Sequence, residues 1–293
     1  MKKGQVTVFI ILGIVIVVVF GLLWHGTTTA PSLSVDNTAI TDHVSSCLST
    51  VATRGVYKLA AQGGYINPKG DIAYGEEGDA FPAHYYLGAH ALSYVLDGNA
   101  SSMRRLPAMT AALSRYIAVE LSSCLNFTEL ELQGYTVNAP SIDWEAINFD
   151  FPQASVPYSP QPLRFSIIPR ADSQDIAVVA NYPIQVIRAD QSFVATEFVA
   201  TIPLRLDLLD KTARKLINEI ALAHSNATAY NLFNHCAEYA SPDHQINIYS
   251  TWNPYAHDYA VSIVDADPLA RGMPPLRFQF AIRNVNFGGF CVG

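Results

Sequence analysis

The residues with the clearest chemical potential are the four cysteines, which could form disulfides or bind a metal. They stand at Cys47, Cys124, Cys236 and Cys291. No two of them have the CxxC spacing of thiolate metal sites, so the pattern favours disulfides, for which there are three pairings. We favour Cys47 with Cys124, because each falls on the apolar stripe of a predicted helix, and Cys236 with Cys291. Four free buried thiols are the alternative.

Other residue types with chemical potential do not form a recognisable catalytic or metal-binding pattern. The eight histidines lack the HExxH spacing of a zinc site. Asp265-Ala266-Asp267 resembles the start of a calcium loop but lacks its glycine and distal glutamate, so it indicates a turn at a strand end. Gly63-Gly64 continues into no phosphate-binding motif, and GxSxG is missing. The sequence therefore predicts no metal, no cofactor and no catalytic residue.

Three Asn-x-Ser/Thr sequences are candidate acceptors of N-linked glycans. They begin at Asn99, Asn126 and Asn226, each near a predicted loop or helix end. If the polypeptide after the N-terminal segment is outside the cell, these three asparagines are candidate glycosylation sites.

Composition and charge exclude two classes of protein. Half of the 293 residues are hydrophobic (50%), which excludes a disordered chain, while only 15% are charged. The net charge of -7 argues against a nucleic-acid partner, because such proteins need a basic face to neutralise phosphates. The small basic cluster of Lys211, Arg214 and Lys215 is interpreted as a solvated helix face. Few lysines and many tyrosines suit an extracellular or protein-covered surface.

The N-terminus contains a segment that could cross a membrane. Val6–Trp24 is an uncharged, almost wholly apolar run, long enough as a helix to span a bilayer. Lys2 and Lys3 precede it and no Lys or Arg follows until Arg54, so the positive-inside rule places the N-terminus in the cytoplasm and the rest outside. A cleaved secretory signal is the alternative, although such apolar regions are shorter.

The residues before this segment carry a family resemblance. Lys2-Lys3-Gly4-Gln5-Val6-Thr7 resembles the cleavage region of archaeal type IV pilins. This resemblance implies processing between Gly4 and Gln5 and assembly of the apolar helix into a filament core. Within such a core, Gly13 and Gly21 would allow close helix packing.

A second resemblance covers most of the chain. The segments KKGQVTVFII, LAAQGGYI, VVANYPIQV, IPLRL and LRFQFAIRN together look like uncharacterised single-span surface proteins of small-genome archaea. This group implies an archaeal envelope protein and brings no assigned catalytic residues.

Hydrophobic periodicity predicts an α+β fold with packed helices on a mostly antiparallel sheet. Helices are expected from Ile40 to a stop at Gly63-Gly64, over 107–125, over 204–224 and over 226–240, with a long loop and one short helix around 84–96. Strands are expected over 163–168, 175–188, 192–203, 245–252, 259–265 and 276–285, with an edge or bulge at Asn181-Tyr182-Pro183.

These elements suggest four regions along the chain. We expect an anchor with a basic leader at 1–25, a Thr/Ser/Pro linker at 26–37, a helical subdomain at 38–138 and an α+β subdomain at 139–293. The prolines between 140 and 162 mark the last boundary.

The favoured hypothesis is a structural subunit of an extracellular filament or pilus-like appendage, assembled through its N-terminal helix. Its partners would be other copies of itself and the membrane, through residues 6–24, with other surface proteins or glycans as further candidates. A membrane-anchored surface receptor or adhesin is the first alternative. An anchored surface hydrolase with an unrecognised site is the second.

Overall fold

The computed structural model describes residues 37–68, 84–87, 90–140, 164–169, 175–189, 191–239, 245–253, 258–267 and 272–291. The chain divides into two units, Met1–Asn37 and Thr38–Gly293, and we call the second the folded unit. The predicted anchor, leader processing at Gly4 and Gln5, and helix packing at Gly13 and Gly21 lie outside the described residues. Among the helices that are described, none is long and apolar enough to cross a membrane.

Two long helices open the folded unit. Helix α1 spans Asn37–Ala61 and α2 spans Leu106–Cys124. As predicted, α1 ends at the glycine pair: Gly63 and Gly64 have positive φ angles, 71° and 93°, and the Gly64 N–H donates to the Leu59 carbonyl. This is the left-handed helix ending that glycine allows without steric cost.

The two helices pack together because a glycine lies between them. A Cβ placed on Gly55 of α1 would lie 2.5 Å from Leu113 Cδ1 and 2.7 Å from Tyr116 Cδ1 of α2. Apolar residues of both helices, including Val51, Val56 and Ile117, are almost completely buried. The apolar stripes predicted for these helices therefore form a core.

A mixed sheet, which we call the first sheet, contains strands from both halves of the chain. Its strands are β1 (His84–Leu87), β2 (His90–Asp97), β3 (Ala100–Ser101), β9 (Ile246–Asn253), β10 (Asp258–Asp265) and β11 (Leu276–Arg283). Their order is β1-β2-β11-β10-β9, with β3 paired to β2. Strand β2 runs parallel to β11, and every other described pair in this sheet is antiparallel.

The second sheet is antiparallel throughout its described strands. It consists of β4 (Thr136–Asn138), β5 (Arg164–Pro169), β6 (Ile176–Arg188) and β7 (Gln191–Ile202). Strand β6 is central, with β4 and β5 along one side and β7 along the other. The β6–β7 register shifts between Asn181 and Ile184, which confirms the bulge predicted at the proline.

A third long helix and a set of short elements complete the described fold. Helix α4 spans Leu206–Ser225 and contacts β2, β3, β10 and β11 of the first sheet. Shorter elements are α3 (Thr128–Leu132), β8 (Tyr230–Asn231), a 3-10 turn (Leu232–His235), α5 (Cys236–Tyr239) and β12 (Phe287–Gly288). Strands β8 and β12 pair in parallel.

The α+β class is confirmed, and two local predictions are wrong. The segment around 84–96, expected as a loop with one short helix, forms β1 and β2, because β2 is buried between neighbours in the first sheet. The helix expected over 226–240 is replaced by β8, the 3-10 turn and α5. The expectation of mostly antiparallel pairing is modified by the parallel β2–β11 and β8–β12 pairs.

Candidate functional site

The structure places the four cysteines in two disulfides. Cys47 of α1 bonds to Cys124 at the end of α2, with Cα atoms 5.9 Å apart. Cys236 of α5 bonds to Cys291 near the C-terminus, with Cα atoms 5.2 Å apart. These are the pairings that the sequence favours, and no cysteine is left free. Two disulfides are compatible with an extracellular or otherwise oxidising environment.

The second disulfide holds the C-terminal segment against two parts of the fold. Next to it, the backbone of Cys291 exchanges two hydrogen bonds of 2.8 Å with Ile248 of β9. The Ser250 hydroxyl donates to the Gly289 carbonyl at 2.6 Å. On the other side, β12 pairs with β8 just before the disulfide. The segment therefore links the edge of the first sheet to the 3-10 turn.

A surface pocket forms between these two chain segments, and we call it the C-terminal concavity. It has a volume of about 430 Å³ and is lined by residues 229–231, Phe233 and residues 286–290. Phe233 and Phe290 are 66% and 55% exposed, although both are large apolar side chains. Two exposed rings in the lining of one pocket are typical of a surface that binds a ligand or partner, because large apolar side chains are otherwise mostly buried.

The lining combines aromatic rings with amides and has no charged side chain. Phe287 and Tyr230 are buried, whereas Asn231 and Asn286 are exposed. The Asn231 side-chain oxygen accepts from the Phe233 N–H at 3.1 Å, which leaves its NH2 group for a ligand. Gly289, with φ of 98°, brings its backbone close to that side chain. The chemistry fits an uncharged ligand with apolar faces and hydroxyl or amide groups.

A row of stacked rings extends from the concavity across the first sheet. Tyr230 stacks on His235 at 4.7 Å and on Phe287 at 6.2 Å between ring centroids. Phe287 meets Tyr259 edge to face at 5.4 Å, and Tyr259 stacks on Trp252 at 6.4 Å. Trp252 is 53% exposed, so the row ends in a second accessible aromatic surface.

Next to the concavity, one carboxylate accepts hydrogen bonds from two tyrosines. The Glu219 Oε2 atom accepts hydrogen bonds of 2.5 Å from both the Tyr230 and the Tyr239 hydroxyls, which lie 3.0 Å from each other. The Lys215 ammonium lies 5.0 Å from the centre of the Tyr239 ring. Burial raises the pKa of both tyrosines above their ordinary range, and the hydrogen bond to Glu219 raises it further. The group fixes the ring of Tyr230 in the pocket wall.

The three basic side chains of the cluster on α4 contact carboxylates and a backbone carbonyl. Lys211 pairs with Asp207 at 2.6 Å and Arg214 with Asp210 at 2.8 Å. Lys215 donates to the Glu238 carbonyl oxygen at 2.7 Å. Burial raises the pKa of Asp210, while Arg214 opposes that change. These contacts agree with the interpretation of the cluster as a helix face.

Asp265 and Asp267 belong to a structural contact at the end of β10. The Arg205 guanidinium makes two hydrogen bonds to the Asp265 carboxylate, of 2.7 and 2.6 Å, and both side chains are buried. It also donates to the Asp267 carbonyl. Within the described ranges, no group of three His, Cys, Asp or Glu residues could hold a metal ion.

The three candidate glycosylation residues are all exposed, Asn99 and Asn226 in turns and Asn126 in a short loop. Asn99 follows β2, Asn126 follows α2 and Asn226 follows α4. They are not brought together. The Asn126 side-chain oxygen accepts from the Thr128 hydroxyl at 2.7 Å, whereas the Thr228 hydroxyl of the third sequence donates to the Ala223 carbonyl instead.

Sequence reasoning missed the C-terminal concavity. Its two lining segments are more than 50 residues apart, at 229–233 and 286–290. The available signal is the favoured pairing of Cys236 with Cys291, because a bond between them also brings the neighbouring aromatic residues of the two segments together.

Comparisons with known proteins do not assign a family. No protein-family model matches the sequence, and neither curated proteins nor solved structures give a match. The fold and the disulfides define the chain as a disulfide-bonded α+β protein suited to an oxidising environment.

Proposed function

We propose that the chain is a structural subunit of an extracellular filament or pilus-like appendage, assembled through its hydrophobic N-terminal helix. The observation that carries the proposal is the uncharged run Val6–Trp24 behind the KKGQ leader. Like helices and lipid tails are both apolar surroundings, so the same segment serves first as an anchor and then as a filament core.

The composition of the remaining chain supports this role. Two disulfides stabilise the folded unit where the cytosolic reducing systems do not act. Its low share of charged residues suits repeated contacts with neighbouring copies, because interfaces are depleted in Lys and Glu and enriched in aromatic residues.

Negative-stain imaging of native or purified full-length protein tests the proposal directly. We expect helical filaments from the wild type and none from Ile14→Asp, because that substitution places a carboxylate in the apolar core. Thr29→Asp in the linker is the matched control and should still give filaments. Dispersed particles from the wild type, or filaments from Ile14→Asp, would contradict the proposal.

The C-terminal concavity favours a second candidate function, an anchored surface adhesin. Its exposed rings, exposed amides and uncharged lining are suited to a neutral glycan, whose apolar ring faces stack on aromatics while its hydroxyls bond to amides. Binding of the protein to a panel of immobilised neutral and acidic glycans tests this role. Phe290→Ala should abolish any binding that the exposed Leu132→Ala control retains. Equal binding by both variants would exclude the concavity as the glycan-binding site.

A further inference from the structure

Strand β7 lies at the edge of the second sheet. It is 12 residues long, and among the described strands it pairs with β6 alone, on one side. Among the described residues, its one backbone hydrogen bond outside that pairing is the bond from the Leu204 N–H to the Ile202 carbonyl, at its very end. Val194 and Val199 of this strand are 57% and 43% exposed. A row of unpaired backbone donors and acceptors is a template for another strand.

Several of the usual protections of an edge strand are missing from β7 as the structure describes it. Natural edges carry charged residues, especially lysine, or proline or a bulge, or they are short or covered by another element. The sequence of β7, QSFVATEFVATI, contains no lysine, proline or glycine, and Glu197 is its one charged residue. The bulge of this hairpin adds its extra residue to β6 and leaves β7 regular. The sequence and geometry of this edge therefore permit pairing along its length.

We propose that this edge binds the same edge of a second copy of the chain, with the two β7 strands antiparallel around a two-fold axis at Thr196. Two identical edges can always pair in this way, provided that opposite residues point to the same face of the joined sheet. In this arrangement, a residue of one copy lies opposite a residue of the other copy when their two numbers add up to twice 196. The proposal concerns the folded unit and does not depend on filament formation.

This register gives one exposed valine an accessible aromatic neighbour. Val199 comes to lie opposite the partner's Phe193, which is partly exposed, whereas Val194 comes to lie opposite the partner's Phe198, whose side chain is fully buried within its own chain. Pairs of aromatic and β-branched residues are among the favourable cross-strand pairs of antiparallel sheets. The carboxylate of Glu197 faces the partner's Ala195, so no like charges meet.

Neighbouring registers lack these features. A two-fold axis at Glu197 would set the two carboxylates against each other, which is unfavourable for directly opposite residues. An axis at Ala195 would place Val199 opposite the partner's Gln191 and Val194 opposite the partner's Thr196. The sequence of β7 thus matches a second copy in one register better than in those on either side, and a second copy is therefore the occupant that we assign to this edge.

A single cysteine at the two-fold axis tests the contact, because Thr196 would lie opposite its own copy. Opposite Cα atoms in antiparallel sheets are about 4.5 to 5.5 Å apart, within the range that a disulfide spans. The native cysteines are paired, so Thr196→Cys supplies the accessible thiol. Full-length Thr196→Cys, oxidised in mild detergent, should run mainly as a covalent dimer on a non-reducing gel.

Thr201→Cys is the matched control, since Thr201 is exposed on the same strand. In the proposed register it would lie about 33 Å from its own copy, because each residue of offset along a strand adds about 3.3 Å. It should stay monomeric. Adding Val199→Lys to Thr196→Cys should reduce the covalent dimer at least tenfold. Failure of Thr196→Cys to cross-link, or equal cross-linking of Thr201→Cys, would overturn the proposal.

The mass of the wild-type protein in detergent provides a measurement that needs no cysteine. Analytical ultracentrifugation should show a dimer for the wild type and a monomer for Val199→Lys, while both give the same circular dichroism spectrum. A wild-type monomer would refute the edge contact. Filament formation by the wild type, without cross-linking of Thr196→Cys, would support the filament function and reject the edge contact. A cross-linked Thr196→Cys dimer, without filaments from the wild type, would support the edge contact and reject the filament function.

Discussion

At the scale of single residues, the shared carboxylate of Glu219 is the feature that connects stability with the candidate site. It accepts two short hydrogen bonds, and hydrogen bonds to a charged group contribute more than those between neutral groups. One of its donors, Tyr230, is also part of the pocket wall. A change in this group should therefore alter both the free energy of unfolding and the shape of the C-terminal concavity.

We expect Tyr239→Phe to lower the free energy of unfolding by about 1 to 2 kcal/mol at neutral pH, because it removes a hydrogen bond to a charged acceptor. Urea titration measures this change. Tyr249→Phe is the control, because Tyr249 is 41% exposed and should change stability little. Equal losses from the two variants would show that the contact with Glu219 contributes nothing.

The same substitution should alter the response to alkaline pH. The folded-state pKa of Tyr239 is raised above its ordinary value of 10.0, so the folded protein keeps the phenol neutral while the unfolded chain ionises. The stability that depends on this shift is complete below pH 10 and falls as the pH rises above it. Tyr239→Phe should therefore lose stability less steeply than the wild type above pH 10, in urea titrations repeated across that range.

At the scale of elements, the packing of α1 against α2 depends on Gly55. The helices are also joined by the Cys47–Cys124 disulfide, eight residues before that glycine. The disulfide fixes one point of contact, whereas the glycine allows the two backbones to approach farther along the helices. Neither feature replaces the other, because a side chain at 55 would overlap buried atoms of α2.

Gly55→Ala should lower the free energy of unfolding by up to about 2 kcal/mol. Alanine favours a helix by about 1 kcal/mol over glycine, but its Cβ would lie 2.5 Å from Leu113 Cδ1, and overpacking costs about 1 to 3 kcal/mol. Leu113 is fully buried and cannot swing into solvent. Thermal unfolding of the single variant measures the net effect.

A double-variant cycle separates the steric clash from other effects of Gly55→Ala. In the presence of Leu113→Ala, which removes the nearer of the two clashing side chains and leaves Tyr116, the alanine at 55 should cost less than it does in the wild type. Thr50→Ala, on the exposed face of α1, is the control for helix propensity. If Gly55→Ala were stabilising in the wild-type background, the close approach of the helices would be refuted.

Local pattern predicts the elements that satisfy their own periodicity. Helices α1, α2 and α4 and the strands from β5 to β7 and from β9 to β11 follow from apolar spacing and from breakers such as Gly63-Gly64. Strand β2 does not, because ALSYVL is apolar on both faces, and such short runs fit a buried strand or a helix equally well. Its parallel partner β11 lies far along the sequence and decides the outcome.

At the scale of the whole molecule, the candidate site illustrates what a local pattern leaves undetermined. The concavity is formed by residues 229–233 and residues 286–290, and strands β9, β10 and β11 lie between these two segments in the sequence. Each segment by itself reads as a short turn with one or two aromatic residues. The Cys236–Cys291 disulfide and the bridge from Cys291 to Ile248 place them beside each other. Their function as one surface is a property of the tertiary fold.

We expect the folded unit to be independent of the apolar N-terminus. The division between the two units of the chain falls after Asn37, and the described core draws on residues from Ile40 onward. A chain that starts at Ser32 should therefore fold and stay soluble without detergent, because it lacks Val6–Trp24 but keeps both disulfides. Size-exclusion chromatography and peptide mapping under non-reducing conditions measure solubility and the Cys47–Cys124 and Cys236–Cys291 pairs.

The full-length protein is the control, since burial of apolar surface stabilises by about 25 cal/mol per Å² and should keep its N-terminal run in detergent or in a filament core. The shortened chain should show the circular dichroism spectrum of an α+β protein and form no filaments. A shortened chain that needs detergent, or that has free or exchanged thiols, would mean that residues before Ser32 belong to the fold. In that case the N-terminal segment would stabilise the same unit that it is expected only to anchor.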